Sequence, residues 1–71
     1  MIWNYRVMKK KNEEGAYDYG IYEVYYDEKG KVIGHTENAM TPVVPSEEGL
    51  KYELEIMLKA LNKETLTYKE N

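Results

Sequence analysis

The sequence predicts a single α+β domain over residues 1–71, a three-stranded antiparallel β-meander with one C-terminal helix packed on one face. Three observations predict this fold class. The aromatic and β-branched segment 17–26 leads through Asp27–Gly30 into a second β-branched segment, which is a strong hairpin signal. Two prolines then exclude regular helix over the next few residues. After them, leucine and methionine recur at helical spacing between residues 50 and 61.

The elements follow in the order β-β-β-α. We expect strands at about 2–10, 17–26 and 32–40, a helix at about 47–62 and a short extended tail at 63–71. Ser46 is the expected N-cap, and the two glutamates after it favour the positive end of the helix dipole. We expect Leu66 and Tyr68 to place the tail against the core.

The predicted helix has an apolar stripe that we assign to the core. Its opposite side has charged residues at i,i+4 spacing, which is typical of a solvated helix face. The stripe consists of Leu50, Leu54, Met57, Leu58 and Leu61.

Composition limits the classes of function. The chain has no cysteine and one histidine, so we expect neither a disulfide framework nor a metal site, and no cofactor motif is present. A net charge of −3 gives no general attraction to nucleic acid. We expect a cytoplasmic protein, because no signal peptide and no membrane-spanning apolar run is visible. Eight tyrosines and no phenylalanine suit a surface that is half-buried or contacts a partner.

The hairpin turn predicts a register for the second and third strands. If Asp27–Gly30 is a type I turn with Gly30 in the left-handed bulge position, Tyr26 lies opposite Val32. Continuing the alternation places Glu23 opposite His35. Because charge is costly to bury, the face without these two residues belongs under the helix. The predicted helix-facing set is Trp3, Tyr5, Val7, Tyr22, Val24, Tyr26, Val32, Gly34 and Thr36.

The opposite sheet face is the predicted binding surface. It combines apolar residues with a polar row, and monomeric proteins rarely expose a large apolar patch without a use for it. We expect this face to contact another protein or a second copy of the chain. The predicted outer face consists of Arg6, Met8, Ile21, Glu23, Tyr25, Ile33, His35 and Glu37.

Glu23 and His35 form the one acid–imidazole pair that this register allows. Such pairs occur in general acid–base catalysis, and Arg6 would extend the pair into a small ionic cluster. A cross-strand polar pair is the simpler interpretation. The sequence shows no partnered nucleophile and no glycine-rich phosphate loop, so we do not expect an enzyme.

The basic run Lys9-Lys10-Lys11 supports an alternative function. A three-stranded sheet packed on a helix resembles, in topology, the AP2-type and phage-integrase arm-binding domains, which insert the sheet into the DNA major groove. The resemblance implies a nucleic-acid-binding accessory protein. A solvated strand end is the simpler interpretation of the lysines.

The sequence also resembles a group of very short bacterial and phage-associated proteins. The matching residues are the segment Trp3-Asn4-Tyr5-Arg6, the segment Glu23-Val24-Tyr25-Tyr26-Asp27 followed by Gly30, and Thr36-Glu37 before a helix. The resemblance implies a compact fold and no catalytic residue. This chain has His35 where that group has tryptophan, which argues against a functional role for His35.

These observations together predict a small non-enzymatic interaction module that uses its outer sheet face, as an adaptor or as an inhibitor that covers another protein. The alternatives are the nucleic-acid-binding protein and a ligand-binding dimer with tyrosine and arginine at its interface.

Overall fold

The computed structural model describes residues 2–70 and confirms the predicted α+β fold. The first three strands form an antiparallel meander, a short fourth strand pairs parallel with the first, and the order across the sheet is third, second, first, fourth. Asn71, the last residue of the predicted tail, lies outside the described residues. The elements are β1 (Ile2–Lys11), β2 (Tyr17–Tyr26), β3 (Val32–His35), α1 (Glu47–Leu58), a 3₁₀ turn (Lys59–Asn62) and β4 (Leu66–Thr67).

Two element bounds differ from the sequence prediction. The third strand ends at His35 instead of residue 40, and only isolated bonds continue along β2, from Thr36 N to Glu23 O and from Met40 N to Ile21 O. The helix begins as predicted after Ser46, whose Oγ accepts a 3.0 Å hydrogen bond from Gly49 N. Its last four residues form a 3₁₀ turn instead of α-helix.

Both hairpins use the same turn chemistry. Asp27 Oδ1 accepts hydrogen bonds from Lys29 N and Lys31 N, and Gly30 has a φ of 81°. Asn12 Oδ1 likewise accepts from the amides two and four residues further on, and Gly15 has a φ of 85°. An Asx residue followed three positions later by a left-handed glycine therefore closes each loop.

The first of these loops fixes the register of β1 on β2, and this register corrects the predicted faces. Lys11 lies opposite Tyr17, so Tyr5 lies opposite Glu23 and Arg6 lies opposite Tyr22. The predicted grouping of Trp3, Tyr5 and Val7 with Tyr22, Val24 and Tyr26 is therefore wrong. Opposed residues share a face, so the set now grouped together is Trp3, Tyr5, Val7, Ile21, Glu23 and Tyr25.

A β-bulge shifts the second hairpin by one residue. Tyr26 lies opposite Val32, as predicted, but Tyr25 lies opposite Gly34, so Ile33 is the extra residue. His35 consequently lies opposite Val24 and not opposite Glu23. The predicted Glu23–His35 pair is wrong, because a slip of one residue moves a side chain to the other face of the sheet.

Both faces of the sheet are covered, each by a different segment. The helix lies on the side of Tyr5, whose hydroxyl donates a 2.6 Å hydrogen bond to Glu53 of α1, and we call this face the helix side. Residues 63–70, the tail, cross the opposite face, which we call the tail side. The prediction that Tyr22, Val24 and Tyr26 lie under the helix is therefore wrong.

The buried residues follow this division. On the tail side, Met8, Tyr22 and Val24 form a buried cluster, against which Leu66 and Tyr68 of the tail pack. This contact confirms the predicted placement of the tail. On the helix side, Val7 is buried on β1, and Met57 and Ala60 are the buried residues of the helix and its 3₁₀ turn.

Candidate functional site

The structure divides the predicted outer face between the two sides of the sheet. Arg6, Met8 and His35 lie on the tail side, and Met8 is only 2% exposed. The helix side contains Ile21, Glu23 and Tyr25, all half-buried. The prediction of one continuous face is therefore wrong.

Two of the predicted residues remain accessible. Ile33 is 58% exposed because it sits in the β-bulge, and it lies beside the exposed Ile2 in a shallow depression. Glu37 is exposed beyond the end of β3, and its backbone carbonyl accepts a 2.8 Å hydrogen bond from the Tyr68 hydroxyl. They belong to different surfaces and do not form a site together.

His35 connects β3 to the tail. Its Nε2 lies 3.3 Å from Lys69 N and 3.2 Å from Lys69 O, and its Nδ1 lies 2.7 Å from Thr36 O. Its ring lies 4.6 Å from that of Tyr68, which also makes an edge contact with Tyr22 at 5.5 Å. Both imidazole nitrogens contact backbone atoms, so this arrangement is structural and does not present a free general base.

Within residues 2–70, Arg6 contacts no carboxylate, so the predicted ionic cluster with Glu23 and His35 is wrong. Its Nη1 donates to the Tyr26 hydroxyl at 3.1 Å, and its Nη2 donates to the Glu64 carbonyl at 2.9 Å. Nε is buried and has no hydrogen-bond partner among the residues that the structure describes. The guanidinium therefore holds the beginning of the tail on the sheet.

The helix side contains two tyrosine–carboxylate contacts. The Tyr25 hydroxyl donates to Glu23 at 2.9 Å, and this hydrogen bond, with burial and the negative charge, raises the pKa of Tyr25. Burial and the hydrogen bond to Glu53 raise the pKa of Tyr5 to about 12. Because a carboxylate favours the protonated phenol, both hydroxyls are hydrogen-bond donors and weak acids.

The side-chain ammonium groups of the lysine run lie close to aromatic rings and to one carboxylate. Lys9 Nζ lies 4.8 Å from the Tyr17 ring centre and Lys11 Nζ lies 6.0 Å from it. Lys10 Nζ lies 4.4 Å from the Tyr68 ring centre and 3.8 Å from Glu70. Alternation along β1 also places Lys10 on the opposite face from the other two lysines. The run does not form one basic surface on the sheet.

The largest departure from the sequence prediction is on the helix. Of the predicted core stripe, only Met57 is buried. The other members lie on one exposed side of the helix, and we call them the leucine stripe. They are Leu50 at 37% exposure, Leu54 at 49%, Leu58 at 64% and Leu61 at 63%.

The rotation of the helix explains this exposure. Glu53 faces the sheet because it binds the Tyr5 hydroxyl, and successive helix residues are about 100° apart. Glu53, Met57 and Ala60 consequently share the sheet-facing side, and the leucines lie beside it. On a helical wheel, the apolar residues of α1 span an arc that is too wide for one small sheet to cover. The width of this arc is the sequence feature that could have predicted the exposed leucines.

A scan of family models and searches of curated proteins and of solved structures find no match to this chain. The resemblance to the short bacterial and phage-associated group stays a prediction. Among residues 2–70, no group of three or more His, Asp or Glu side chains is placed to hold a metal ion. The described part of the chain also contains no helix that is long and apolar enough to cross a membrane.

Proposed function

We propose that this protein is a small non-enzymatic interaction module that binds another protein chain through the leucine stripe of α1. The observation that supports the proposal is the exposure of these side chains, from 37% at Leu50 to 64% at Leu58, on one side of a helix of a 71-residue chain. Small soluble proteins rarely leave a contiguous apolar surface exposed unless it is used for contact.

The arrangement of the stripe favours a protein partner. Leu50, Leu54 and Leu58 recur every four residues, so their side chains form one row along the helix. Charged residues border the row, and an apolar centre with a polar rim is the usual construction of a protein–protein interface. Helices with this pattern bind in grooves or against other helices.

Two other surfaces support the function less well. Ile33 and Ile2 form a small apolar patch in a shallow depression that no helix residue lines. The lysine run, on which the nucleic-acid alternative depends, contacts Tyr17, Tyr68 and Glu70 instead of forming a free basic surface. We therefore place the contact on α1.

The test is quantitative affinity capture from the native cell with three tagged variants. Leu54→Glu adds a charge to the stripe, Tyr52→Glu adds the same charge to a 67% exposed position away from it, and Ile33→Glu tests the other patch. We expect Leu54→Glu to lose chains that wild type and both other variants retain. The proposal is wrong if Leu54→Glu and wild type capture the same proteins.

A further inference from the structure

A row of alternating charges runs beside the leucine stripe. Glu47, Lys51 and Glu55 follow one another at i,i+4 spacing, so they lie along one side of the helix, and all three are exposed. They also border the same shallow depression as Leu50, Leu54 and Leu58. The stripe therefore has one flank with the charge order minus, plus, minus.

This charge order is complementary to itself in only one orientation. In an antiparallel pair of helices related by a two-fold axis, each flank faces the same flank of the other copy. An axis midway between Lys51 and Glu55 places Lys51 of one copy against Glu55 of the other, and Glu55 against Lys51. In a parallel pair, the row would instead face the opposite flank of the stripe on the other copy, so it would not meet its own charges.

The same axis brings the leucines together. Leu50 of one copy lies at the level between Leu54 and Leu58 of the other copy. Leu54 of the first copy lies at the level between Leu50 and Leu54 of the other copy. This interdigitation is the packing that leucine rows form between paired helices. The contacts extend over about three helical turns.

We infer that the occupant of the leucine stripe is a second copy of this chain, bound as an antiparallel, two-fold symmetric helix pair. The inference rests on the proposed function, since it names the partner of the same surface. A single helix pair buries less area than a standard stable interface, so the dimer is weak and concentration-dependent.

Sedimentation equilibrium of the purified full chain between about 5 and 500 µM, a range suited to weak interfaces, measures the dimer dissociation constant. We expect wild type to dimerise within this range. We expect Leu54→Glu, and Leu58→Glu as a second variant, to raise the dissociation constant roughly tenfold or more, because each buries a charge in the contact. Tyr52→Glu, with the same charge change outside the stripe, should dimerise like wild type.

The charge row gives the sharper test of orientation. Lys51→Glu and Glu55→Lys, each alone, place like charges together and should weaken the dimer several-fold at low salt. The double variant Lys51→Glu/Glu55→Lys restores unlike pairs across an antiparallel contact and should recover most of the affinity. Far-ultraviolet circular dichroism confirms that each variant remains folded.

Several results would overturn the inference. A wild-type chain that stays monomeric to about 500 µM excludes the dimer at any affinity typical of small interfaces. If neither Leu54→Glu nor Leu58→Glu changes the dimer dissociation constant, the dimer uses another surface. If the double charge variant dimerises no more tightly than the single variants, the antiparallel pairing is excluded. If the chain is monomeric but Leu54→Glu still loses a different captured protein, the interaction module stands and only the second copy is excluded.

Discussion

The Tyr5 hydroxyl donates a 2.6 Å hydrogen bond to Glu53 Oε1, and this contact joins β1 to α1 across 48 residues of sequence. A carboxylate facing a sheet is unusual in a helix that also has leucines available for burial. The Tyr5 phenol makes this orientation of Glu53 favourable, because a charge-assisted hydrogen bond compensates for partial burial of the carboxylate. The leucine stripe is exposed as a consequence of this rotation.

Removing the Tyr5 hydroxyl should weaken the attachment of the helix. We expect Tyr5→Phe to lower the free energy of unfolding by about 1–2 kcal/mol, because Glu53 loses a charge-assisted partner while the ring keeps its packing. Urea unfolding followed by circular dichroism measures this loss. Tyr52→Phe, on the same helix but 67% exposed, is the matched control and should change stability by less than about 0.5 kcal/mol. Equal effects of the two variants would contradict the role of the contact.

The same hydrogen bond should make stability depend on alkaline pH. The pKa of Tyr5 is raised from 10.0 to about 12 by burial and by Glu53. The fold therefore favours the protonated phenol, so this stabilisation is complete below about pH 10 and is lost as pH rises through about 12. We expect the stability difference between wild type and Tyr5→Phe to be constant from neutral pH to about pH 9.5 and to shrink above pH 10. All other residues are the same in both proteins, so the difference isolates Tyr5. A difference that grows above pH 10 would be opposite to this expectation.

Local signals in the sequence were sufficient for the elements and for one turn. Alternating aromatic and β-branched residues, a Gly-terminated turn and a Ser46 N-cap predict β2, the second hairpin turn and the start of α1 correctly. Each of these features depends on neighbouring residues only. The register of β1 was also available, because Asn12 and Gly15 repeat the spacing of Asp27 and Gly30.

The face of His35 and the exposure of the helix leucines depend on two further features, a β-bulge and the rotation of α1. The extra residue Ile33 changes the face of His35, and Gly34, although glycine in a strand often marks a bulge, does not by itself specify which residue is extra. The rotation of α1 depends on Tyr5 and Glu53, which are far apart in sequence. If burial of apolar side chains alone decided the rotation of the helix, the leucines would face the sheet. The predicted core stripe followed from that argument, and it is wrong.

The tail should contribute to stability through Tyr68. Its ring contacts Tyr22 and His35, its hydroxyl donates to the Glu37 carbonyl, and Lys10 lies over its face. We expect Tyr68→Ala to lower the free energy of unfolding by about 2 kcal/mol, about half the loss for a fully buried aromatic side chain.

Urea unfolding and hydrogen exchange together measure this effect. The backbone amide of residue 68, which donates to Lys9 O, and the β4 amides of Leu66 and Thr67 can be followed in wild type and in Tyr68→Ala. Tyr19→Ala, at a 64% exposed position, is the control and should leave exchange in β4 unchanged. If Tyr68→Ala leaves both stability and exchange at the wild-type level, the tail does not stabilise the sheet.

The left-handed glycines of the hairpin turns give a prediction, and Gly34 in β3 is its control. Gly30 has a φ of 81° and open space around its Cα, so an added Cβ meets no neighbour but forces a side chain into the left-handed region. We expect Gly30→Ala to lower the free energy of unfolding by about 1 kcal/mol. Gly34 has no positive φ, and its added Cβ would lie 3.8 Å from Tyr25 Cδ2, an ordinary contact.

Gly34→Ala should therefore be neutral or slightly stabilising, because alanine restricts the unfolded chain without strain in the strand. Gly15, with a φ of 85° in the matching loop, should respond to alanine like Gly30. Urea unfolding of the three variants measures the effects side by side. A Gly34→Ala loss as large as that of Gly30→Ala would show that chain position in the second hairpin, and not the left-handed backbone, determines the response. Agreement between Gly15→Ala and Gly30→Ala would instead support one turn geometry for both loops, on which the register of β1 against β2 depends.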